Sequence, residues 1–321
     1  MNDPHGVTFF RDGPLPSVVT RPWESFPVMV GAGLVVGFAT GGYPAGSSEI
    51  SQIALVVAMT FSLTEISFEG LSPRAELRGI LLSLVMTYGV LSGLLLVFAV
   101  TSADPALRDG WVLMAAVPPA VAVVPVTSYL KGNVRRSLIS AAFLYVLGLG
   151  LVPGITLAFV GRGVPVDLLF FQTLVLIGVP LAASRGLRLW KGVSRARGSV
   201  VAISFFFLIV AIAGSTRDTL LANPQVVVSL SLLSFLRTFA LGIGIYGIAV
   251  ALRVPREDQV AAATFSSFKN LGLTVVLAFS FFGAAATLPS IVSLVFEILW
   301  IPALPLVFRF PRTRRSGVDG G

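Results

Sequence analysis

Apolar stretches separated by basic loops are the feature that most constrains this chain. Ten such stretches can be drawn, at residues 26–44, 50–68, 79–100, 111–130, 137–159, 168–184, 200–214, 226–252, 260–282 and 290–307. A helix needs about 20 residues to cross a bilayer, so each stretch can form a transmembrane helix, and spans six and seven are the shortest. The chain is 12% charged, whereas a soluble domain has roughly 25% charged residues. We therefore predict an all-α integral membrane protein with ten transmembrane helices.

The basic residues are distributed unevenly along the chain, and their distribution predicts the orientation. Of 23 Lys and Arg residues, 18 lie in the two tails and in the loops after spans two, four, six and eight, and three lie in the other loops. Cytoplasmic loops carry the excess of Lys and Arg, so both termini are expected in the cytoplasm and the protein in the inner (plasma) membrane.

Ten crossings divide into two five-helix repeats of opposite orientation, because each half crosses an odd number of times. The predicted organisation is a cytoplasmic tail over 1–25, a first repeat over 26–159, an inverted repeat over 160–307 and a basic cytoplasmic tail over 308–321.

Spans four and nine contain residues that interrupt helices. Span four holds Pro118, Pro119 and Pro125, and each proline removes a backbone hydrogen bond. Span nine holds the run 264–272, which reads Thr-Phe-Ser-Ser-Phe-Lys-Asn-Leu-Gly. Interrupted helices at matching places in two inverted halves indicate a transporter binding site, although Pro and Gly also merely kink membrane helices. We predict that both helices break and cross near the bilayer midplane.

Lys269 is the first candidate for the substrate site, because about ten largely apolar residues flank it on either side. A cation at that depth costs about 2.5–3.5 kcal/mol on insertion scales and is usually kept for function. Lys269 could act as a fixed cation that attracts an anion, or as a titrating group that carries a proton. The candidate substrate-binding residues around the crossing are Thr264, Ser266, Ser267, Lys269, Asn270, Pro118, Pro119 and Thr127.

Two further charges, Arg237 and Glu297, lie near the middle of spans eight and ten. Both spans run in the same direction, so the two residues share a depth, and we expect them to pair. The sequence leaves open whether this pair is structural or takes part in coupling. With Lys269, the three charges leave one positive charge in excess, which favours an anion in the cavity.

The two interrupted spans resemble those of the sodium/bile acid symporter family. The segment 117–133, with Pro118-Pro119 and the Leu130-Lys131-Gly132-Asn133 close, is similar to that family's fourth helix, and the segment 257–273 is similar to its ninth. The resemblance implies alternating access, in which a core of spans three to five and eight to ten moves against a panel of spans one, two, six and seven.

Departures from the family pattern argue against sodium coupling. Val123 and Val124 occupy the positions of the symporters' fourth-helix sodium ligands, and Phe265 and Lys269 those of the ninth-helix Glu and Gln. Sodium needs oxygen ligands, and an ammonium group repels it. An arsenite-efflux branch of the wider group has an intramembrane Glu similar to Glu297, but this chain has no Cys for its thiolate.

We therefore expect a secondary active transporter of a small organic anion or weak acid, proton-coupled or sodium-independent. The alternatives are a sodium-coupled, bile-acid-like symporter, a metabolite or metalloid efflux permease, and a membrane enzyme or scaffold. The chain has no Cys and one His, His5, so we expect no catalysis, no cofactor and no metal site. The expected partners are the anionic substrate, the lipid bilayer and a proton in preference to sodium, and no nucleic acid. Homodimer formation is left open.

Overall fold

The computed structural model describes residues 21–65, 76–161 and 165–308, apart from the side chain of Val166. Most of both predicted tails, at residues 1–20 and 309–321, lies outside these ranges. Within the described residues the chain folds into fifteen α-helices: Phe26–Thr40 (α1), Ser47–Ser62 (α2), Leu77–Leu84 (α3), Ser92–Thr101 (α4), Pro105–Ala116 (α5), Val123–Tyr129 (α6), Val134–Val160 (α7), Val166–Thr173 (α8), Val179–Leu187 (α9), Val193–Ala222 (α10), Pro224–Phe235 (α11), Leu241–Ala251 (α12), Arg256–Phe265 (α13), Leu271–Phe282 (α14) and Leu288–Val307 (α15).

Three π-helical segments join consecutive α-helices into longer spans. Val85–Leu91 joins α3 to α4, Leu174–Gly178 joins α8 to α9, and Leu236–Ala240 joins α11 to α12. When joined segments are counted as one helix, seven helices of the described chain are long and apolar enough to cross a membrane. α1 and α14 are shorter apolar helices. The predicted all-α membrane class is therefore confirmed, while the inverted ten-helix repeat stays a prediction.

Both predicted interruptions are present. In span four, α5 ends at Ala116 and α6 begins at Val123, and the intervening Pro118 and Pro119 have no N–H group to continue α5. In span nine, α13 ends at Phe265 and α14 begins at Leu271. Pro125, which was also expected to break span four, lies inside α6. It occupies the first turn of that helix, where the missing N–H group has no intrahelical partner to lose.

The two interruptions lie side by side. Pro119 and Lys269 form an isolated antiparallel bridge, and the Asn270 backbone N–H donates to the Pro118 carbonyl at 3.0 Å. The Asn270 side chain also caps α14, because its Oδ1 accepts from the Leu273 N–H at 3.1 Å. One hydrogen bond thus satisfies a backbone donor of span nine and a backbone acceptor of span four.

Spans six and seven are longer than their apolar stretches. Span six extends over α8 and α9, and α10 covers 193–222 where the apolar pattern gave only 200–214. The pattern missed both ends of α10 because they are polar, and Ser215 and Thr216 bond to α10's own carbonyls in its last turns.

The spans pack as two groups. α1 and α2 pack on α10, and α9 packs on α2, which assembles spans one, two, six and seven. α5 packs on α4 and α7, α11 on α15, and α13 on α3 and α12, which assembles spans three to five and eight to ten. One apolar core joins both groups and includes Leu55, Ile209 and Leu277. A second core includes Phe265 and Trp300, and its described residues all come from the second group.

Candidate functional site

Lys269 lies at the interruption of span nine, and its side chain is completely buried. The Lys269 Nζ donates to Ser92 Oγ at 2.9 Å, to the Ala115 carbonyl at 2.9 Å and to the Val117 carbonyl at 2.8 Å. An ammonium group has three donors, so each has an acceptor. The two carbonyls lie at the C-terminal end of α5, where intrahelical partners are lacking and the helix dipole is negative. The ammonium group therefore caps α5 from another span.

Span three completes the surroundings of this ammonium group. The Tyr88 ring centroid lies 4.5 Å from Lys269 Nζ, which is within range of a cation–π interaction. The Tyr88 hydroxyl is buried and has no hydrogen-bond partner within the described chain. Ser92 Oγ lies 2.6 Å from the Ala115 carbonyl oxygen, so Ser92 accepts from Lys269 and donates to α5. Neutral oxygens and an aromatic face, rather than a carboxylate, thus surround the ammonium group.

Arg237 is also completely buried, and it forms the predicted ion pair with Glu297. Its guanidinium donates to the Ser267 carbonyl at 3.3 Å and to Thr238 Oγ1 at 3.0 Å. Ser267 follows the C-terminal end of α13, so Arg237 is placed at the end of α13 as Lys269 is at the end of α5. Thr87 Oγ1 donates to a second carbonyl there, that of Phe265, at 3.1 Å.

Glu297 connects the two cationic residues. Its Oε1 accepts from Arg237 and also from the Lys269 backbone N–H, at 3.1 Å. Since a buried charge is stable only when it is paired and hydrogen-bonded, these contacts explain how a carboxylate is held in α15. Two basic side chains and one carboxylate meet here, so within the described residues one basic side chain of this group has no carboxylate partner of its own.

Asn270 faces the opposite side of the crossing from Lys269. Its Nδ2 donates to the Tyr145 hydroxyl at 2.9 Å and lies 3.8 Å from the Met59 sulfur. Met59 belongs to α2, so Asn270 lies at the boundary between the two groups of spans. Consecutive residues therefore point in different directions, because Lys269 contacts spans three and four and Asn270 contacts spans five and two.

The other predicted site residues surround the crossing, and all of them are buried. Thr264, Ser266 and Ser267 donate to carbonyls within α13, at 2.9, 3.2 and 2.7 Å. Thr127 donates to the Val123 carbonyl at 2.8 Å within α6. Pro118 packs against Gly148, where an added Cβ would lie 3.3 Å from the proline ring. Ser266 and Ser267 therefore satisfy a carbonyl near the C-terminal end of α13, whereas Thr264 and Thr127 bond within the bodies of their helices.

Four neighbours of the site were missed from the sequence: Ser92, Thr87, Tyr88 and Tyr145. Each is a single polar residue inside an apolar stretch, and that signal is weak by itself. A chain offset could have found Thr87. The facing residues Pro119 and Lys269 are 150 positions apart. Thr87 and Arg237, which donate to carbonyls at or just after the C-terminal end of α13, are separated by the same interval.

Comparison with known proteins assigns the sequence to a family. The model of the SBF-like CPA transporter family matches residues 39–303, a range that contains both interruptions and the three buried charges. No curated protein matches the chain.

Proposed function

Because the chain belongs to the SBF-like CPA transporter family and is a multi-pass membrane transporter, we propose that it carries a small organic anion or weak acid without sodium. The family predicted from the two interrupted spans is thereby confirmed. Membership of a transporter family also favours transport over the enzyme alternative. The substrate, the coupling and the mechanism belong to the proposal.

The observation that carries the proposal is the excess of positive charge at the crossing. Lys269 and Arg237 each approach the end of one broken helix, and Glu297 is the carboxylate that faces them. Two like charges 4 Å apart repel by about 4 kcal/mol at an effective dielectric constant of 20, so an additional sodium ion would be disfavoured. A bound anion would instead complete the charge balance.

The side chains at the family's sodium positions support the same conclusion. Val123, Val124 and Phe265 are buried and apolar, and they offer no side-chain oxygen. The Lys269 ammonium already uses the carbonyls of Ala115 and Val117. We infer that the Lys269 ammonium group takes the place of the sodium ion that similar symporters bind.

The packing of the two groups of spans supports alternating access. α14, the second half of span nine, packs on α2 and α10, and Gln52 on α2 donates to Ser280 on α14 at 3.3 Å. The first half of span nine instead packs on α3, α6 and α12. We infer that the panel and the core are in contact around α14, and among the described residues the panel does not pack comparably on α6 or α13. The loops next to α6 and α13 are basic, so this side would face the cytoplasm under the proposed orientation.

Asn270 is the residue that we assign to direct substrate contact. On the panel side, Asn270 Nδ2 lies 3.8 Å from the Met59 sulfur, and a thioether sulfur is a weak acceptor. When the panel moves away from Met59, this N–H group becomes available to a carboxylate. Lys269 contributes its charge from the other side of the backbone, since its three donors remain on α5 and Ser92.

Two measurements on purified protein test the proposal. In the first, small organic anions are screened for an increase in melting temperature, in sodium and in choline buffer. In the second, the stabilising anion is followed into proteoliposomes under both conditions. We expect equal stabilisation and equal initial uptake in the two buffers. A steep loss of uptake in choline would contradict sodium independence, and the absence of any transported anion would contradict the substrate class.

A further inference from the structure

A basic turn connects spans six and seven at some distance from the crossing. It is defined here as residues 188–195, which link α9 to α10 and include the first residues of α10. Leu189 is 85% exposed and Trp190 is 51% exposed, so two large apolar side chains project from this turn. Isolated apolar residues are common on surfaces, whereas here two adjacent ones lie on a charged turn.

The Trp190 ring has a defined position. It folds over Gly192, where an added Cβ would lie 2.8 Å from the ring carbon Cζ2. Gly192 therefore leaves space for the indole, which lies across the turn. Trp side chains with one apolar and one polar side are enriched at the interface between headgroups and acyl chains.

The charges at this end of the protein divide into an inward set and an outward set. Arg185 donates to the Leu63 carbonyl at 2.7 Å, and Arg197 donates to Thr64 Oγ1 at 3.1 Å and pairs with Glu65. These two arginines attach the basic turn to the end of α2.

The outward set consists of exposed cations within the turn itself. Lys191 and Arg195 are both exposed. The sequence contains no acidic residue between Asp167 and Asp218, so no carboxylate nearby in the chain offsets these charges. The turn therefore combines an apolar projection with exposed cations that have no acidic neighbour within this stretch of the sequence.

We propose that the basic turn binds anionic phospholipid headgroups. Lys191 and Arg195 contact the phosphates, and Leu189 and Trp190 insert at the level of the headgroups. Attraction of this kind is worth about a fivefold change in affinity for each basic residue near an anionic surface. Because Arg185 and Arg197 hold the turn on α2, lipid binding anchors the panel in its leaflet while the core moves. The inference is independent of which substrate is carried.

The test follows lipid binding by thermal stability rather than by transport. The full-length protein in neutral detergent is titrated with short-chain phosphatidylglycerol or phosphatidylcholine, and its melting temperature is recorded. We expect phosphatidylglycerol to raise the melting temperature and phosphatidylcholine to have little effect. The variant Lys191→Gln/Arg195→Gln should need about 25-fold more phosphatidylglycerol for half of the increase. Both side chains are exposed, so the double variant should retain the fold.

Matched variants and ligands make the result decisive. Arg253→Gln removes an exposed cation at the end of α12, outside the turn, and should respond like the wild type. Leu189→Ser keeps every charge and should weaken the response to the lipid. Soluble glycerol phosphate at the same concentration should give no increase. The proposal is overturned if the double variant responds like the wild type, or if glycerol phosphate reproduces the effect and the turn is a site for free anions.

Discussion

The backbones of Pro119 and Lys269 form an antiparallel bridge, and the Lys269 side chain then reaches the Val117 carbonyl at 2.8 Å. One residue of span nine therefore holds the interruption of span four through both its backbone and its side chain. Arg237 and Glu297 hold the interruption of span nine in turn. Four predictions follow from these contacts and from the packing around them.

Two substitutions of Lys269 should distinguish the role of its hydrogen bonds from the role of its charge. Lys269→Met removes three donors and leaves the buried Val117 carbonyl without this partner, at a cost of about 1–3 kcal/mol, while the Ala115 carbonyl still accepts from Ser92. Melting temperature should fall and anion affinity should weaken. Lys269→Arg keeps the charge and should retain anion binding. Because arginine does not deprotonate, a loss of proton-driven accumulation in Lys269→Arg with anion binding retained would assign proton transfer to Lys269. Unchanged affinity in Lys269→Met would remove Lys269 from the site.

The ion pair of Arg237 and Glu297 should show strong coupling in a double-mutant cycle. Glu297→Leu leaves a buried guanidinium unpaired, and such a loss costs about 3–5 kcal/mol. Arg237→Leu combined with Glu297→Leu should recover much of that stability, because both charges are removed together. Chemical denaturation in detergent gives the free energies of unfolding. Equal losses in the single and the double variant would argue against a stabilising pair.

Asn270→Asp should affect the substrate more than the fold. An aspartate can cap α14 as Asn270 does, since its carboxylate accepts from the Leu273 N–H and can accept from the Tyr145 hydroxyl, so the start of the helix should be retained. The new carboxylate repels an anion and cannot donate as Nδ2 does. We therefore expect anion affinity to fall at least about tenfold, equivalent to about 1.4 kcal/mol.

The control for this prediction is Tyr145→Phe, which removes the hydroxyl that receives the Asn270 N–H at 2.9 Å. It leaves both the cap and the donor of Asn270 in place, so it should alter affinity less than Asn270→Asp does. If the two variants bind the anion as the wild type does, Asn270 does not contact the substrate.

Gly214→Ala should destabilise the panel, because an added Cβ would lie 2.1 Å from the Gly42 backbone nitrogen. Backbone atoms cannot rotate away, so α1 and α10 must separate, and overpacking of this kind typically costs about 1–3 kcal/mol. Gly198→Ala on the same helix is the matched control, since no atom from elsewhere in the described chain lies within 4 Å of its added Cβ. It should be neutral or slightly stabilising because alanine favours helix. The melting temperatures of the two variants should differ by several degrees.

The sequence predicts the interruptions well and their neighbours poorly. Pro118 and Pro119 lack N–H groups whatever surrounds them, so a local rule suffices to end α5. The direction of the Lys269 side chain depends instead on which carbonyls the tertiary fold brings near it. Residues 269 and 270 belong to one polar run in the sequence, yet they face different groups of spans. Ser92 and Tyr145 acquire their roles only when spans three and five pack on the crossing.

The C-terminal ends of α5 and α13, where the two broken helices are interrupted, each receive a hydrogen bond from the other half of the chain. Lys269 closes the end of α5, and Thr87 contributes to closing the end of α13. If the chain arose by duplication of one ancestral unit, its two copies have become mutually dependent. The later half now supplies both buried cations, and the earlier half supplies a polar hydroxyl and receptive carbonyls. If the chain were divided between α7 and α8 into two polypeptides, the two would have to be co-expressed. Each polypeptide alone would have carbonyl groups at a helix end that lack their hydrogen-bond donor from the other.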